Sequence, residues 1–562
     1  MNRKTSRQLS FASAFVFALV LLAAPVFAQD AIPTGGTVTI AMWEDRENFN
    51  PYMEGGQTFQ SYTAPVLERL ISFDATGTPI PVLTTEIPTL ENGLVSEDGT
   101  DITFPLRPDV YWADGEPMTC EDVQFSVTAV QNPDNLVTTR AGFDKIESVE
   151  CLDDLTAVFH YSEFYAAWMT VPWYIIPEHI LGAEANWNES EWNRMPLGTG
   201  PFYVCESIPN DHFTWCKNEY YWQEGKPYLD QIIVLWIPDR EVLKARFVAG
   251  DIALAYGISE LDAVEIESTP DLYLYKEYGG GIEELPLNLS PSTGEDMGNP
   301  DVPNPILGDI NVRRALELAI DKQEIVDGIL GGLPRVVASH VPAGWGFNPD
   351  IPLSEYNPEL AAQMLEEAGW VDTDGDGVRE KDGVRMSLTM MGSTARYRLL
   401  YMQLIQQEWG DIGVEVEILT PEPSLRWAAY NEGGPVRLGA ADVQAWGTGF
   451  SLDPIPGLNQ FYRCDQIPSE ENPTFWNVTR WCNQEFEETL NAAESELDFE
   501  ARLELFQRVT EIMHEDLVTI PLYQQPRISA INESKLAGFV PAAGENYWEY
   551  PFTYAYDWYL PQ

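Results

Sequence analysis

Ile232-Ile233-Val234-Leu235-Trp236-Ile237 is apolar at every position, and a strand of that kind needs cover on both faces. An amphipathic helix from Glu241 to Ala249 follows at once, closed by Gly250, and Asp251-Ile252-Ala253 starts the next strand. Strand, helix and strand in that order build α/β layers. The alternation resumes with a strand over Met386–Met391, a helix over Thr394–Trp409 and a strand over Val414–Leu419. Thr37-Val38-Thr39-Ile40-Ala41 reads as another buried strand. Ligands of open α/β sheets lie beyond strand ends, so Trp43 and Glu44 are candidate ligand-binding residues. A helix is expected over Thr63–Ser72, another over Pro423–Tyr430, and a strand over Leu438–Ala445. From about 75 to 195, short strands and turns dominate, with turn signals at Asp98-Gly99 and Asp114-Gly115. Thr119 and Asp122 approximate a capping box there.

The beginning of the chain sets its compartment. Met1-Asn2-Arg3-Lys4 and Arg7 are basic, Phe11 to Phe27 is largely apolar, and Val26-Phe27-Ala28 closes the run. This is the pattern of a secretory signal peptide cleaved after Ala28; the run is short for a bilayer span, and Pro25 sits near its end. The mature chain is therefore expected in the periplasm or the extracellular space. A formal charge of −56 repels nucleic acid and anionic headgroups, so no nucleic-acid partner is expected. Six cysteines behind an export signal predict disulfides. Local pairing is expected, Cys120 with Cys151, Cys205 with Cys216 and Cys464 with Cys482, although sequence alone leaves the connectivity open. No CxxC pair occurs and the five histidines are scattered, so neither a metal nor a cofactor is expected. Asp372 to Glu380 places oxygens and a glycine as a calcium loop does. Gly383 stands where the bidentate Glu belongs, and the segment reads as a polar turn.

Trp446-Gly447-Thr448-Gly449-Phe450-Ser451-Leu452-Asp453-Pro454 sets two glycines between aromatic rings. Glycines there leave main-chain N–H and C=O groups uncovered for a ligand, and Trp446 supplies a flat floor. Trp446, Gly447, Thr448 and Gly449 are candidate ligand-binding residues. The segment is similar to the Trp-Gly-x-Asp-Tyr-x-Asp-Pro stretch of the family 5 extracytoplasmic solute-binding proteins of ABC importers, the peptide- and nickel-binding group, with one extra residue before Asp-Pro. A longer likeness to that family runs from Thr103 to Thr119 (TFPLRPDVYWADGEPMT) and continues in Glu121-Asp122-Val123 and Phe125-Ser126. Pro196 to Tyr203 (PLGTGPFY) and Asn218 to Trp222 (NEYYW) also resemble it.

The resemblance implies an α/β, two-lobed periplasmic-binding-protein fold (class II, cluster C type) with an inserted domain and an interlobe ligand cleft. The implied division is a leader over 1–28, lobe I over 29–74 and 196–288, and an inserted domain II over 75–195. Lobe III then covers 289–519, and 520–562 returns to lobe I. The first crossing falls near Asn288, a further candidate ligand-binding residue, and the second at Thr519 to Tyr523. Two crossing strands suit a hinge that closes on a solute. The implied protein is a monomer that captures a peptide and hands it to a membrane permease, with no bond made or broken. No GxSxG, HExxH or P-loop signature points to an enzyme.

One departure bears on the ligand. Peptide binders of this family carry Asp after Trp-Gly-x, where its carboxylate pairs with the peptide's α-ammonium. Here that position is Gly449, and Phe450 replaces the usual Tyr; Asp453 matches the later Asp-Pro and is expected to cap the loop. Asp442 and Glu44 are possible substitutes for the lost acid. Some members bind oligosaccharides on tryptophan platforms, which makes Trp43, Trp345, Trp427 and Trp446 candidates of a second kind. Peptide is the first reading, oligosaccharide the second and a secreted hydrolase the distant third; so few histidines speak against nickel chelates. Arg313 and Arg314 are expected to pair with carboxylates.

Overall fold

A computed structural model describes residues 32–42, 48–53, 61–74, 78–140, 142–171, 174–267, 269–270, 272–450, 452–539, 546–547 and 552–561. The leader, Trp43 and Glu44 lie outside the described residues. In chain order, the first elements used below are β1 (Thr37–Met42), β2 (Asp101–Pro105), α1 (Cys120–Gln131), β3 (Ile146–Asp153) and β4 (Thr156–Tyr161). They continue with β5 (Phe202–Ile208), β6 (His212–Lys217), β7 (Gln231–Trp236), α2 (Arg240–Val248), β8 (Leu254–Tyr256) and β9 (Leu272–Pro286). Next come α3 (Ile310–Leu318), α4 (Pro358–Glu367), β10 (Ser387–Met391), α5 (Arg396–Asp411), β11 (Glu415–Leu419) and β12 (Val443–Gln444). The last are β13 (Trp446–Gly449), α6 (Gln484–Ser495), α7 (Phe499–Asp516) and β14 (Thr519–Asn532).

The first lobe rests on a mixed sheet in the order β13-β9-β14-β8-β1-β7-β6-β5, in which β1 runs parallel to β7 and β8. In β7 only alternate residues, Ile232, Val234 and Trp236, are fully buried, so the apolar run is covered less evenly than its composition predicts. The antiparallel sheet β2-β4-β3 joins this lobe, and one apolar core runs without a break from Val38 through Trp112 and Phe159 to Trp558. The capping box forms: Thr119 N–H donates to Asp122 Oδ2 at 2.9 Å and starts α1. The second lobe is centred on the parallel sheet β11-β10-β12, with α3, α4 and α5 supplying its core. Among the described residues two strands connect the lobes. β9 and β14 pair antiparallel from Leu272↔Asn532 to Pro286↔Thr519. Leu272 and Ile528 sit in a first-lobe core, whereas Leu285, Ile520 and Tyr523 sit in the second-lobe core. Each strand is thus anchored by burial at both ends, and a rotation between lobes has to bend this pair.

Cys120–Cys151, Cys205–Cys216 and Cys464–Cys482 are bonded, the local pairing expected. Three local expectations fail. Of the helix expected over 63–72 only residue 63 is helical, as the end of a turn of helix over 61–63, and Ile71–Phe73 is a strand. Pro65 and Val66 spend their carbonyls on Phe202 and Gly200 N–H groups at 3.0 Å each, which long-range pairing takes from the helix. The helix after Pro423 stops at Arg426, and the expected 438–445 strand shrinks to Val443–Gln444 because Gly439 ends a short helix in the left-handed region. Among the described residues no helix is long and apolar enough to cross a membrane.

Candidate functional site

The site is built where β13 meets the first crossing strand. Gly281↔Gly449, Ile282↔Thr448, Glu283↔Gly447 and Glu284↔Trp446 are opposed across β9 and β13. This corrects the expectation of a wholly uncovered backbone at 446–449: one edge of the segment is already paired. Phe450 N–H donates to Gly280 O at 3.2 Å, so alternation points the main chain of Thr448 and Trp446 at β9 and that of Gly447 and Gly449 the other way. Ala445 agrees, since its outward N–H reaches Met391 O at 2.8 Å. β13 ends the sheet, and Gly447 and Gly449 are exposed, so their outward edge is free among the described residues. Gly280 is what lets the two strands close up, because a Cβ there would stand 2.1 Å from Phe450 O.

Two consecutive glutamates of β9, both 0 % exposed, point to opposite faces. Glu283 accepts from Arg398 Nε (2.6 Å) and Nη2 (2.8 Å), Tyr401 Oη (2.5 Å) and Gln525 Nε2 (2.7 Å). Glu284 takes Thr448 Oγ1 (3.0 Å), Thr519 Oγ1 (2.9 Å), Trp446 Nε1 (3.4 Å) and His340 Nδ1. Four donors fill the lone-pair sites of each carboxylate, so neither is open to a ligand amine. Sequence reasoning passed over both residues; the only signal was two acids set in an apolar strand after three glycines. Asp442 is equally occupied, by Thr389 N–H and Oγ1 at 2.9 Å and Asn304 Nδ2 at 3.0 Å.

The structure brings some of the candidate residues together and leaves others apart. Trp446 is 6 % exposed and stacks on Trp427 with ring centroids 5.6 Å apart, and Trp476 packs edge-on at 6.4 Å. Trp345 sits in a separate core, against Phe506 at 4.9 Å and under the Arg502 guanidinium at 4.8 Å. Asn288 is buried, with Nδ2 on Gly439 O (3.0 Å) and Ala441 O (3.1 Å), where it ties the crossing to the loop before β12. Asp453 caps as expected, accepting Ile455 N–H at 3.0 Å, and also receives Arg502 at 2.7 Å. Among the described residues Arg313 and Arg314 pair with no carboxylate: they donate to the carbonyls of Asp516 and Glu515, at the negative end of α7.

A crevice of about 660 Å³ opens between the lobes beside Gln525, lined by Tyr256, Ser259 and Glu260 on one side and Arg396 and Tyr397 on the other. Burial pushes the Glu260 carboxyl above its usual range. The acidic turn is tighter than a plain turn. Asp372, Asp374, Asp376 and Glu380 bring oxygens within 4.8 Å of one another, while Asp376 is bridged to Arg385 at 2.6 Å and Glu380 accepts Thr373 N–H and Oγ1.

Comparison with known proteins fits this architecture. Residues 78–469 match the model of bacterial extracellular solute-binding proteins, family 5 middle. The di/tripeptide-binding protein 1 of Pseudomonas aeruginosa is 24% identical over 515 residues, covering 86% of this chain and 88% of that protein. The nickel-binding periplasmic protein of Escherichia coli is 29% identical over 396 residues, 68% of this chain and 70% of that protein. Among solved structures, the Bacillus subtilis oligopeptide-binding protein AppA in complex with a nonapeptide superposes with a TM-score of 0.72 at 24% identity, covering 95% of this chain and 100% of that one. The family match spans well over half the sequence and includes both crossing-strand neighbours, β9 and β13; the chain belongs to the family 5 bacterial extracellular solute-binding proteins.

Proposed function

We propose that the protein captures peptides outside the cytoplasmic membrane and delivers them to the permease of an ABC importer. The observation that carries this reading is the free edge of β13, where Gly447 and Gly449 turn their N–H and C=O groups away from β9. An extended peptide laid along such an edge adds a strand, with affinity drawn from main-chain bonds. Glycine lets the second backbone approach closely. Two relatives, a di/tripeptide-binding protein and an oligopeptide-binding protein with bound nonapeptide, support the same ligand class. The oligosaccharide reading asks for open tryptophan faces. Trp446 and Trp427 stack on each other and half-buried Trp345 packs against Phe506 and Phe499, which favours peptide.

In this reading the lobes close by bending β9 and β14, the mature chain acts as a monomer after loss of residues 1–28, and an inserted unit over 75–195 interrupts the first lobe. Capture leaves the solute chemically unchanged. Gly449→Pro tests the edge directly. It deletes an outward N–H while leaving the pairing with β9, and proline is accepted on such edges. Calorimetric affinity for a peptide found by thermal-shift screening should fall about tenfold or more with a small change in melting temperature, the loss of one main-chain bond in a desolvated site. Unchanged affinity sinks the edge reading. In the screen itself, a peptide at 100 times its Kd raises stability by about 2.7 kcal/mol.

A further inference from the structure

Behind β13 stand three buried arginines that, among the described residues, are in contact with no carboxylate. Arg426, 2 % exposed, donates Nη2 to Ala445 O at 3.2 Å and Met391 O at 3.5 Å, and its Nε has no partner. Arg437, 5 % exposed, gives Nη1 to the carbonyls of Trp427 and Ala428, and again Nε is unpartnered. Arg480, 3 % exposed, reaches the carbonyls of Gly298, Val478 and Arg437. Among the described residues none of the three meets a carboxylate. Burial holds all three guanidinium groups below their usual range, Arg426 and Arg480 at about 10. The chain has 88 acidic residues against 32 basic ones, so partners were abundant and this block still lacks them.

The charge lies close to the free edge. The Arg426 guanidinium is 4.6 Å from the Trp427 ring, Trp427 stacks on Trp446 at 5.6 Å, and Arg437 lies 4.3 Å from Trp476. One aromatic layer therefore separates Arg426 and Arg437 from the first residue of β13, and a ring screens charge far less than water does. Opposing charge nearby is already committed. Glu283 belongs to Arg398, and Glu284 holds four donors including His340. Gly449 itself brings no charge to this end.

We propose that the solute end docking on β13 carries a free carboxylate, and that Arg426 and Arg437 select it as positioning charges behind the tryptophans. This rests on the peptide reading and names the end of the peptide that is recognised: the C-terminal carboxylate, with no requirement for a free amine.

The test uses short peptides, each made as free acid, C-terminal amide and N-acetylated acid, titrated calorimetrically into the exported chain. The acid should bind about tenfold tighter than the amide, as a charge interaction across a poorly screened layer implies, and N-acetylation should change affinity little. Equal binding of acid and amide overturns the proposal, as does a larger loss on acetylation than on amidation. An advantage that follows acidic side chains and ignores the C-terminus overturns the C-terminal assignment. Absence of binding by every peptide overturns the peptide reading itself and this inference with it, whereas acid equal to amide overturns the inference alone. Arg437→Gln and Arg426→Gln should bring the acid-to-amide ratio toward one; a merely structural role would weaken both forms and preserve the ratio. Should either variant fail to fold, the wild-type ratio decides.

Discussion

Guanidinium groups are used in two ways within a short distance of the crossing strands. Arg398 of α5 grips Glu283 with two bonds, and within the crossing pair Arg527 of β14 grips Glu277 of β9 with two at 3.0 Å each. Behind β13, Arg426, Arg437 and Arg480 find carbonyl oxygens only, among the described residues. In the first region opposite charges cancel, and the geometry of β9 and β14 depends on both partners being present. In the second, carbonyl dipoles solvate the cations without neutralising them, so a net field survives. Pairing fixes a hinge; leftover charge can act on a ligand. The first lobe holds the mirror image in Glu68, a buried acid whose bonds come from Trp222 Nε1 at 3.0 Å, Tyr221 and Thr199.

The largest expected effect breaks the paired region. Arg398→Met strips Glu283 of its charge partner and should cost about 3–5 kcal/mol in urea unfolding, because an uncompensated carboxylate is left buried. Adding Glu283→Gln should recover much of that loss; a double variant no better than the single one would mean that packing, not charge, holds this face.

Glu68 sharpens the comparison from the acid side. Burial, against the donors around it, pushes its carboxyl up to about 7 from an ordinary 4.5. A folded-state value above the unfolded one means that its contribution to stability is complete below about pH 4.5 and is lost as pH rises through about 7. Glu68→Gln should therefore stabilise the protein by on the order of 2 kcal/mol at pH 8 and change little at pH 5. Equal effects at both pH values would show that the carboxyl does not titrate there. Arg437→Gln comes next. It strands carbonyls of Trp427 and Ala428 but also removes an uncompensated cation, so a loss of about 1–2 kcal/mol is expected, well under that of Arg398→Met.

The contrast between these regions was invisible in the sequence, and the reason is distance along the chain. Periodicity located the strands around Thr37, Ile232 and Val414 and the helices after Glu241 and Thr394, because the alternation of apolar residues is a local signal. The cysteine pairs were legible because near neighbours close easily. Arg398, by contrast, lies 115 residues from Glu283, and Trp446 lies 162 from Glu284; no local pattern reports such contacts. Likewise, residue type makes Trp43, Trp345, Trp427 and Trp446 equal candidates for a platform, and nothing local shows that the rings of Trp446 and Trp427 cover each other. Trp345 drew the same attention as the other two for its residue type alone, and its place is set by Phe506 and Arg502. The glycines of β13 did signal close approach. What they could not say is that β9 takes one edge and leaves the other.

The smallest effect is expected at the join between the two regions. Thr448 sends its main chain to β9 and its hydroxyl to Glu284, and that hydroxyl is one of four donors on the carboxylate. Thr448→Val keeps the shape and the β-propensity while deleting the donor, and the three remaining bonds still hold Glu284. A loss of about 1 kcal/mol or less is the expected size for one neutral donor in a well-supplied cluster. Peptide affinity should stay close to wild type, since the outward edge belongs to Gly447 and Gly449. A fall in affinity as large as that of Gly449→Pro, with folding intact, would place the ligand contact on the Thr448 hydroxyl and not on the neighbouring backbone. The division of β13 into an inward half that holds the strand and an outward half that meets the solute would then be wrong.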